Sequence, residues 1–287
     1  MIQLEKGVLI KRIFALKGRS KMNILEYMNL DPNEKPLDNI VSDGGFCSIL
    51  RSIGCVGDSL SSGEFEGTNA EGGKSYHDMF DYSWGQFMAR MAGITVHNFS
   101  KGGMTAKAYM ESFAESKGFW NPELACNAYI IALGVNDLND RSTLPVGSVA
   151  DICAEDYKKN SPTFTGYYAQ IVQRLKEIQP DAKFFFMTIP SSNKNSVHVK
   201  HDDHSRALYE MADYFDNAYV LDFRKYAPVY DGEFRKRFFL GGHMAPTGYY
   251  LTAKMVVSYI DYIIRHNYQD FKQVGFIGTP YKNTAEK

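Results

Sequence analysis

The 287-residue chain lacks the features that mark several classes of protein. Its four cysteines form no Cys-x-x-Cys pair, which argues against a zinc site or a dithiol redox motif. No run approaches the roughly 20 consecutive apolar residues of a membrane span, and no N-terminal stretch has the zones of a signal peptide. The net charge of -1 gives no indication of a nucleic-acid partner. We therefore expect a cytoplasmic protein with no stable membrane association.

The chain instead has the composition and pattern of a folded α/β protein. Hydrophobic residues make up 44% of it, which is enough to form a core. Nearly continuous apolar runs predict parallel strands covered on both faces, at 49–57, 94–99, 128–133, 183–189 and 218–222. Helices are predicted between and after them, at 82–92, 105–116, 163–179, 203–216 and 247–266. This alternation predicts a doubly wound sheet with right-handed crossovers.

The most informative residue is Ser59, in a Gly-Asp-Ser-Leu sequence at the end of the first predicted strand. Ligands of open α/β sheets bind at the carboxyl edge of the strands. Alone, the motif is equally typical of a turn with a capping serine. Three further polar clusters follow a predicted strand or precede a predicted helix, at 98–105, 134–137 and 243–249. Together the four favour a single site at one edge of the sheet.

With these blocks in this order, the chain resembles the GDSL or SGNH hydrolase family, named for a serine, a glycine, an asparagine and a histidine. The four family residues correspond to Ser59, Gly103, Asn136 and His243 in this sequence. The resemblance spans roughly residues 49–265. It implies a three-layer α/β/α sandwich of the flavodoxin-like type, with a five-stranded parallel sheet in the order 2-1-3-4-5. It implies no cofactor and no metal.

These residue types suit acyl transfer through a serine nucleophile. A serine hydroxyl needs a base to remove its proton, and the imidazole of His243 titrates near neutral pH. The oxyanion that forms next needs N–H donors. The backbone of Gly103 can approach closely because it has no side chain, and the amide of Asn136 carries two N–H groups without charge. The resemblance adds the backbone N–H of Ser59 as a third donor.

One position departs from the family pattern. The family usually has an aspartate three residues before the histidine, and Leu240 occupies that position here. Another group must then accept the second ring N–H of His243. We favour a backbone carbonyl of segment 238–241, because it brings no buried charge. The rival is a carboxylate from elsewhere, such as Asp231, Asp202 or Asp203.

Three segments are distinguished along the chain. Residues 1–45 are predicted to be an N-terminal extension packed on the core. An added strand or hairpin is preferred there to a basic membrane-surface helix, because Gly18 and Pro32 interrupt a long helix. Residues 46–270 form the hydrolase domain, and residues 271–287 form a C-terminal tail.

Two loops, 60–81 and 190–204, are predicted to shape the substrate pocket. The second ends in a polar cluster that raises a metal site as an alternative, although a polar helix start is the preferred interpretation: His198, His201, Asp202, Asp203 and His204. Asp58 and Asp137 flank the predicted site, and we interpret both as structural residues that bond loop N–H groups. Cys55 is predicted to be a small buried apolar residue.

The sequence thus predicts a serine esterase that releases a small acyl group, such as acetyl, from a carbohydrate or another polar alcohol. The carbohydrate part rests on analogy of fold. An acyltransferase, in which an alcohol replaces water, is one alternative. A non-catalytic binding module is the other; Leu240 supports it, and the presence of all four family residues argues against it. The expected partner is a small-molecule or carbohydrate ester, and the oligomeric state stays open.

Overall fold

A computed structural model describes residues 24–28, 30–192 and 198–285. The chain divides into two compact units, residues 1–35 and 36–287. In the first, the described part contains a short helix, α1 (Ile24–Tyr27), and a turn in which the Glu34 N–H donates to the Asp31 carbonyl at 3.1 Å. The strand or hairpin predicted at the N-terminus falls largely on residues 1–23, outside the described residues.

The second unit is built on a five-stranded sheet whose strands are all parallel. The strands of this unit are β1 (Ser52–Gly57), β2 (Glu64–Thr68), β3 (Lys74–Asp78), β4 (Thr95–Ser100), β5 (Ala128–Ala132), β6 (Lys183–Met187), β7 (Ala218–Leu221), β8 (Phe239–Leu240) and β9 (His243–Met244). Their order across the sheet, β4-β1-β5-β6-β7, confirms the expected 2-1-3-4-5 arrangement. All five predicted strands are present, with ends shifted by a few residues. The first begins later than predicted because Gly45–Ile49 forms a 3-10 turn.

Helices cover both faces of this sheet. They are α2 (Ser59–Ser62), α3 (Trp84–Ala92), α4 (Ala106–Ala108), α5 (Ala114–Ser116), α6 (Phe164–Ile178), α7 (His198–Tyr214), α8 (Phe223–Tyr226), α9 (Gly232–Phe238) and α10 (Pro246–His266). A π-helical stretch, Tyr109–Phe113, joins α4 to α5, so the helix predicted at 105–116 exists with a wider middle turn. The prediction for α7 was wrong at its start. The helix begins at His198 rather than at 203, so the polar cluster lies inside it.

Side-chain alternation along the strands divides the core into two layers. In β6, Phe185 packs with α3 and α10 on one face, whereas Phe184 and Phe186 pack with α6 and α7 on the other. All three phenylalanines are fully buried. Successive strand residues point to opposite faces, so a continuous apolar run fills both layers. The predicted three-layer α/β/α sandwich is confirmed.

The chain segments on either side of the predicted hydrolase domain also pack on this core. The backbone N–H of Val41 donates to Ser258 Oγ at 3.1 Å, and that of Phe46 donates to Asp261 Oδ1 at 2.7 Å. At the other end, Phe271 and Ile277 are buried, and the Ile277 carbonyl accepts from Arg51 Nη2 at 2.6 Å. Residues 36–45 and 271–277 therefore belong to the compact unit.

The loop predicted at 60–81 is instead a β-hairpin preceded by the short helix α2. Strands β2 and β3 pair antiparallel, from Glu64 opposite Asp78 to Thr68 opposite Lys74. Their turn is held by Asn69, whose Oδ1 accepts from the Gly73 N–H at 2.7 Å. Alternating residues around an Asn and Gly turn are a sequence signal for a hairpin.

Among the described helices, none is both long enough and apolar enough to cross a membrane.

Candidate active site

Ser59 is the first residue of helix α2, directly beyond the carboxyl end of β1. Asp58 caps this helix, because its Oδ1 accepts from the Leu60 N–H at 3.0 Å. The helix ends after one turn at Gly63, whose φ of +78° is in the left-handed region that favours glycine. The cap and the glycine together hold Ser59 at the carboxyl edge of the sheet.

Asn136 bridges two other blocks of the predicted site. It follows β5, and its Nδ2 donates to the Met104 carbonyl at 3.1 Å. The same Nδ2 lies 3.5 Å from Asp58 Oδ2. The Met104 carbonyl belongs to the turn that contains Gly103, whose φ is +73° and whose α-carbon faces open space. Glycine is favoured there by the backbone conformation rather than by a close neighbour.

The two aspartates that flank the site bond backbone N–H groups, as predicted. Asp58 bonds Leu60, and Asp137 Oδ1 accepts from the Ala106 N–H at 2.9 Å, which joins the Asn136 loop to the start of α4. Burial raises the pKa of Asp58 to about 7, against the lowering effect of the Leu60 N–H, and the negative charges of Asp137 and Glu64 add to the rise. Burial also raises the pKa of Asp137 to about 6.

His243 is the first residue of β9 and meets two glutamates of strand β2. Its Nε2 lies 3.0 Å from Glu64 Oε1, and its Nδ1 lies 4.0 Å from Glu66 Oε2. The ring of Tyr76 contacts the imidazole edge-on, with 5.6 Å between ring centres. No hydrogen bond between Ser59 Oγ and His243 is present in the part of the chain that the structure describes.

The prediction that a backbone carbonyl replaces the missing acid was wrong, because a carboxylate lies within hydrogen-bond distance of the His243 ring. The three aspartates considered as rivals are bound elsewhere: Asp231 accepts from the Phe234 N–H at 2.8 Å, Asp202 from Arg224 Nε at 2.6 Å, and Asp203 lies 3.5 Å from Arg206 Nη2. Leu240 pairs with His243 across the β8–β9 hairpin, and its side chain is 48% exposed. The carboxylate nearest to the ring belongs instead to Glu64 of the neighbouring hairpin.

A cleft of about 570 Å³ opens at this edge of the sheet, and Ser59, Asn136 and His243 all line it. Gly103 is not among its lining residues and reaches the site only through the Asn136–Met104 contact. The two segments predicted to shape the pocket contribute to it, because the lining includes Leu60 from the first and Pro190, Ser192 and His201 from the second.

A second cavity, of about 50 Å³, adjoins the cleft. The two share Asp58, Leu60, Val135, Ile189, Pro190 and Tyr230. Most of its remaining walls are apolar side chains of the core, among them Trp84, Met187 and Met244. A small apolar pocket, lined by Asp58 and Leu60 but not by Ser59 itself, therefore adjoins a much larger and more polar cleft that Ser59 lines.

The polar cluster of α7 is divided by the packing of the helix. His201 faces the cleft, whereas His204 is fully buried, with its Nε2 3.0 Å from the Leu133 carbonyl. Burial lowers the pKa of His204 to about 4, so the ring is neutral. Across residues 24–28, 30–192 and 198–285, no group of three or more histidine, cysteine, aspartate or glutamate side chains could hold a metal ion.

Two residues near the site make contacts that were not predicted from the sequence. His204 packs against the turn of Asn136, since a Cβ added at Gly134 would lie 2.5 Å from its Nε2. Glu64 contacts His243 from within the segment predicted as a loop. The alternation of Glu64, Phe65 and Glu66 was the available signal, because it is typical of a strand with one polar face.

The chain matches a known protein family over the segment that contains Ser59, Gly103, Asn136 and His243. A sequence profile of the GDSL-like Lipase/Acylhydrolase family matches residues 55–251, which is more than half of the chain. The chain belongs to this family. It is therefore an ester hydrolase of the GDSL type. No curated protein matches it in sequence.

Solved structures of similar fold include two carbohydrate esterases. The family two carbohydrate esterase of Clostridium thermocellum, in complex with cellohexaose, has a TM-score of 0.56 at 16% identity, over 83% of this chain and 66% of that one. A family 2 enzyme of Corynascus thermopiles (Myceliophthora fergusii) with a carbohydrate binding domain has a TM-score of 0.54 at 14% identity, over 75% and 66%. A Lactobacillus plantarum protein has a TM-score of 0.52 at 16% identity, over 74% and 97%. At such identities, the likeness shows the shared fold alone.

Proposed function

We propose that this enzyme hydrolyses an ester of a small acyl group, such as acetyl, on a carbohydrate or another polar alcohol, through an acyl-enzyme on Ser59. The observation that carries the proposal is the pair of unequal cavities that adjoin at this edge of the sheet. One is about 50 Å³ and is lined by Asp58 and Leu60, the neighbours of Ser59; the other is about 570 Å³ and is lined by Ser59 itself. The smaller suits the acyl group and the larger suits the alcohol.

The size of the small cavity supports a short acyl chain. Its volume of about 50 Å³ is less than a tenth of that of the adjoining cleft. A short acyl group suits the smaller space, because each further methylene would press on the packed side chains that bound it, which is costly in a close-packed interior. The apolar walls favour a hydrocarbon group over a charged one.

The walls of the larger cleft support a polar alcohol. They carry amide, carboxylate, hydroxyl and guanidinium groups next to aromatic rings: Asn139, Asp140, Ser192, Asp231, Arg235, Tyr230 and Phe239. Apolar and aromatic walls with a few polar groups that fix orientation are typical of small-molecule sites. The two carbohydrate esterases of the same fold support a sugar as the alcohol, by analogy.

In the proposed reaction, Ser59 Oγ attacks the ester carbonyl and its proton passes to His243. The backbone N–H groups of Ser59 and Gly103 and one N–H of Asn136 donate to the oxyanion. Its collapse breaks the ester C–O bond, and the alcohol leaves with the proton from His243. Water then attacks the acyl-enzyme in the same manner, which releases the acid and restores Ser59.

A panel of acyl esters of graded chain length tests this proposal. Acetyl esters of sugars should be hydrolysed fastest, and Ser59→Ala should abolish the activity. A fluorophosphonate probe should label Ser59 in the wild-type enzyme. Full esterase activity in Ser59→Ala would contradict the proposal. Transfer of the acyl group to an added sugar in preference to water would instead identify an acyltransferase.

A further inference from the structure

We infer that Glu64 is the positioning residue that holds His243 for its reaction with Ser59, in place of the aspartate that position 240 lacks. The inference rests on the proposed function, because it assigns a role within the same reaction. It gives the β2–β3 hairpin a part in the site, although the sequence motifs of the family do not include it.

The contact with Glu64 favours one of the two ring nitrogens of His243 as the carrier of the proton. Glu64 Oε1 lies 3.0 Å from His243 Nε2, and the two side chains are only 14% and 16% exposed. A carboxylate can only accept, so a ring N–H directed at Glu64 is the one on Nε2, which leaves the lone pair on Nδ1. His243 Nδ1 is buried and has no hydrogen-bond partner among the described residues. A nitrogen with a free lone pair is what a general base needs.

Glu66 is a poor rival for this role. Its Oε2 lies 4.0 Å from His243 Nδ1, beyond hydrogen-bond distance. That oxygen already accepts from the Gly242 N–H at 2.6 Å, and Oε1 lies 2.6 Å from Lys74 Nζ. The hydrogen bond from Lys74 lowers the pKa of Glu66. Glu66 therefore holds the turn that precedes His243.

The backbone of Glu64 is held from two sides. Its carbonyl accepts from the Tyr249 hydroxyl of α10 at 2.7 Å, and the residue pairs with Asp78 across the hairpin. Asp78 in turn accepts from Ser62 Oγ of the helix that carries Ser59. The position of the carboxylate is thus linked to both the base and the nucleophile.

Glycine at position 102 leaves room for the carboxylate. A Cβ added at Gly102 would lie 2.0 Å from Glu64 Oε2. Burial raises the pKa of Glu64, and the positive charge that His243 gains when protonated opposes this rise. The ion pair would therefore strengthen when His243 takes a proton.

In the reaction, the proton of Ser59 Oγ passes to His243 Nδ1 as Oγ bonds to the ester carbon. In the resulting imidazolium, Nε2–H donates to Glu64, whose carboxylate stays unprotonated. The alkoxide of the alcohol takes the Nδ1 proton when the C–O bond breaks. Ser59 and His243 are not hydrogen-bonded among the described residues, and such bonds often form only in the substrate complex.

The experiment measures how fast a fluorophosphonate labels Ser59 in Glu64→Ala, Glu64→Gln and Glu64→Asp. The matched control is Glu71→Gln, an exposed glutamate at the tip of the same hairpin. We expect Glu64→Ala to slow labelling by ~10²–10⁴, as for the loss of the orienting acid in serine hydrolases. Glu64→Asp should be slowed less than Glu64→Ala, and Glu71→Gln should label at the wild-type rate. Added formate should restore part of the rate to Glu64→Ala and none to Ser59→Ala.

A second variant moves the carboxylate without removing it. Gly102→Ala should displace the Glu64 side chain and slow labelling, while kcat for an acetyl ester falls and KM changes little. The inference is overturned if Glu64→Ala and Glu64→Gln, shown to be folded, are labelled as fast as the wild type. It is also overturned if these variants raise KM alone.

A readout independent of activity separates this inference from the proposed function. Nitrogen-15 spectra of the His243 ring should show the proton on Nε2 in the wild type and a mixture of tautomers in Glu64→Ala. If the wild-type enzyme is not labelled at Ser59, the proposed function fails while the ring spectra still test the contact. Unchanged spectra in Glu64→Ala would overturn the role of Glu64 whatever the activity.

Discussion

The side-chain amide of Asn136 donates a hydrogen bond to the backbone carbonyl of Met104 at 3.1 Å. This bond connects the loop after β5 to the turn after β4, which contains Gly103. It uses one of the two N–H bonds of the amide. Nδ2 also lies 3.5 Å from Asp58 Oδ2, a long contact that a substrate oxygen would have to displace. Two of the three proposed oxyanion donors, those of Gly103 and Asn136, are therefore held together before any substrate binds, and such preorganisation is what makes these donors effective.

Replacing Asn136 should slow the chemical step more than it weakens binding. We expect Asn136→Ala to lower kcat by ~10²–10³ with little change in KM, because the oxyanion exists only near the transition state. Steady-state kinetics on an acetyl ester measure both constants. Asn121→Ala, which changes a surface turn outside the cleft, is the control. A variant that loses only affinity would show that Asn136 binds the ground-state substrate instead.

Enlarging the small cavity should lengthen the acyl chain that the enzyme accepts. Ile189 is 8% exposed and lines both cavities. In Ile189→Ala, we expect the ratio of kcat/KM for a butyryl ester to that for an acetyl ester to rise by ~10-fold or more. Ile263→Ala, a buried isoleucine of α10 outside both cavities, is the matched control for lost stability. Equal ratios in the two variants would place the acyl group elsewhere.

Asp58 should make the protein less stable as the pH rises. Its pKa is raised from 3.8 to about 7, so the folded state binds this proton more tightly than the unfolded state. Protonated Asp58 therefore contributes to the free energy of unfolding. This contribution is complete below about pH 4 and is lost as the pH rises to about 7, at up to ~1.4 kcal/mol per pH unit. In Asp58→Asn, the amide can still cap α2, and this loss should disappear. Urea denaturation of both proteins at a series of pH values from about 4 to 7 measures this loss. If the free energy of unfolding changes with pH in the same way in both proteins, the raised pKa of Asp58 is refuted.

His204 should have the opposite pH dependence. Its pKa is lowered from 6.5 to about 4, so the stability it contributes is complete above about pH 6.5 and is lost as the pH falls to about 4. In His204→Phe, the ring is kept but the Leu133 carbonyl loses its partner, which should cost ~1–3 kcal/mol. The wild type should be more stable than the variant at neutral pH, and this difference in the free energy of unfolding should shrink near pH 4. A difference that does not change with pH would contradict a buried neutral His204.

Much of the fold was predictable because the signals are local. The three consecutive phenylalanines of β6 predict a strand buried on both faces. In the structure, Phe185 packs on one face of the sheet, and Phe184 and Phe186 pack on the other. The long helix Pro246–His266 follows from apolar residues at helical spacing. Local patterns also place Ser59 and Asn136 after predicted strands and His243 before a predicted helix. A parallel sheet brings such positions to one edge.

The partner of His243 was decided only by the tertiary structure. Leu240 stands at the sequence position of the usual acid, and nothing near it in the chain replaces the carboxylate. Glu64 does so from a distant hairpin, because β2 packs beside β9 with its polar face toward the imidazole. The same holds for His204, which the orientation of α7 buries while His201, one turn away, reaches the cleft. Periodicity along a chain determines which residues share a face, whereas the contacts of that face depend on how separate elements pack together.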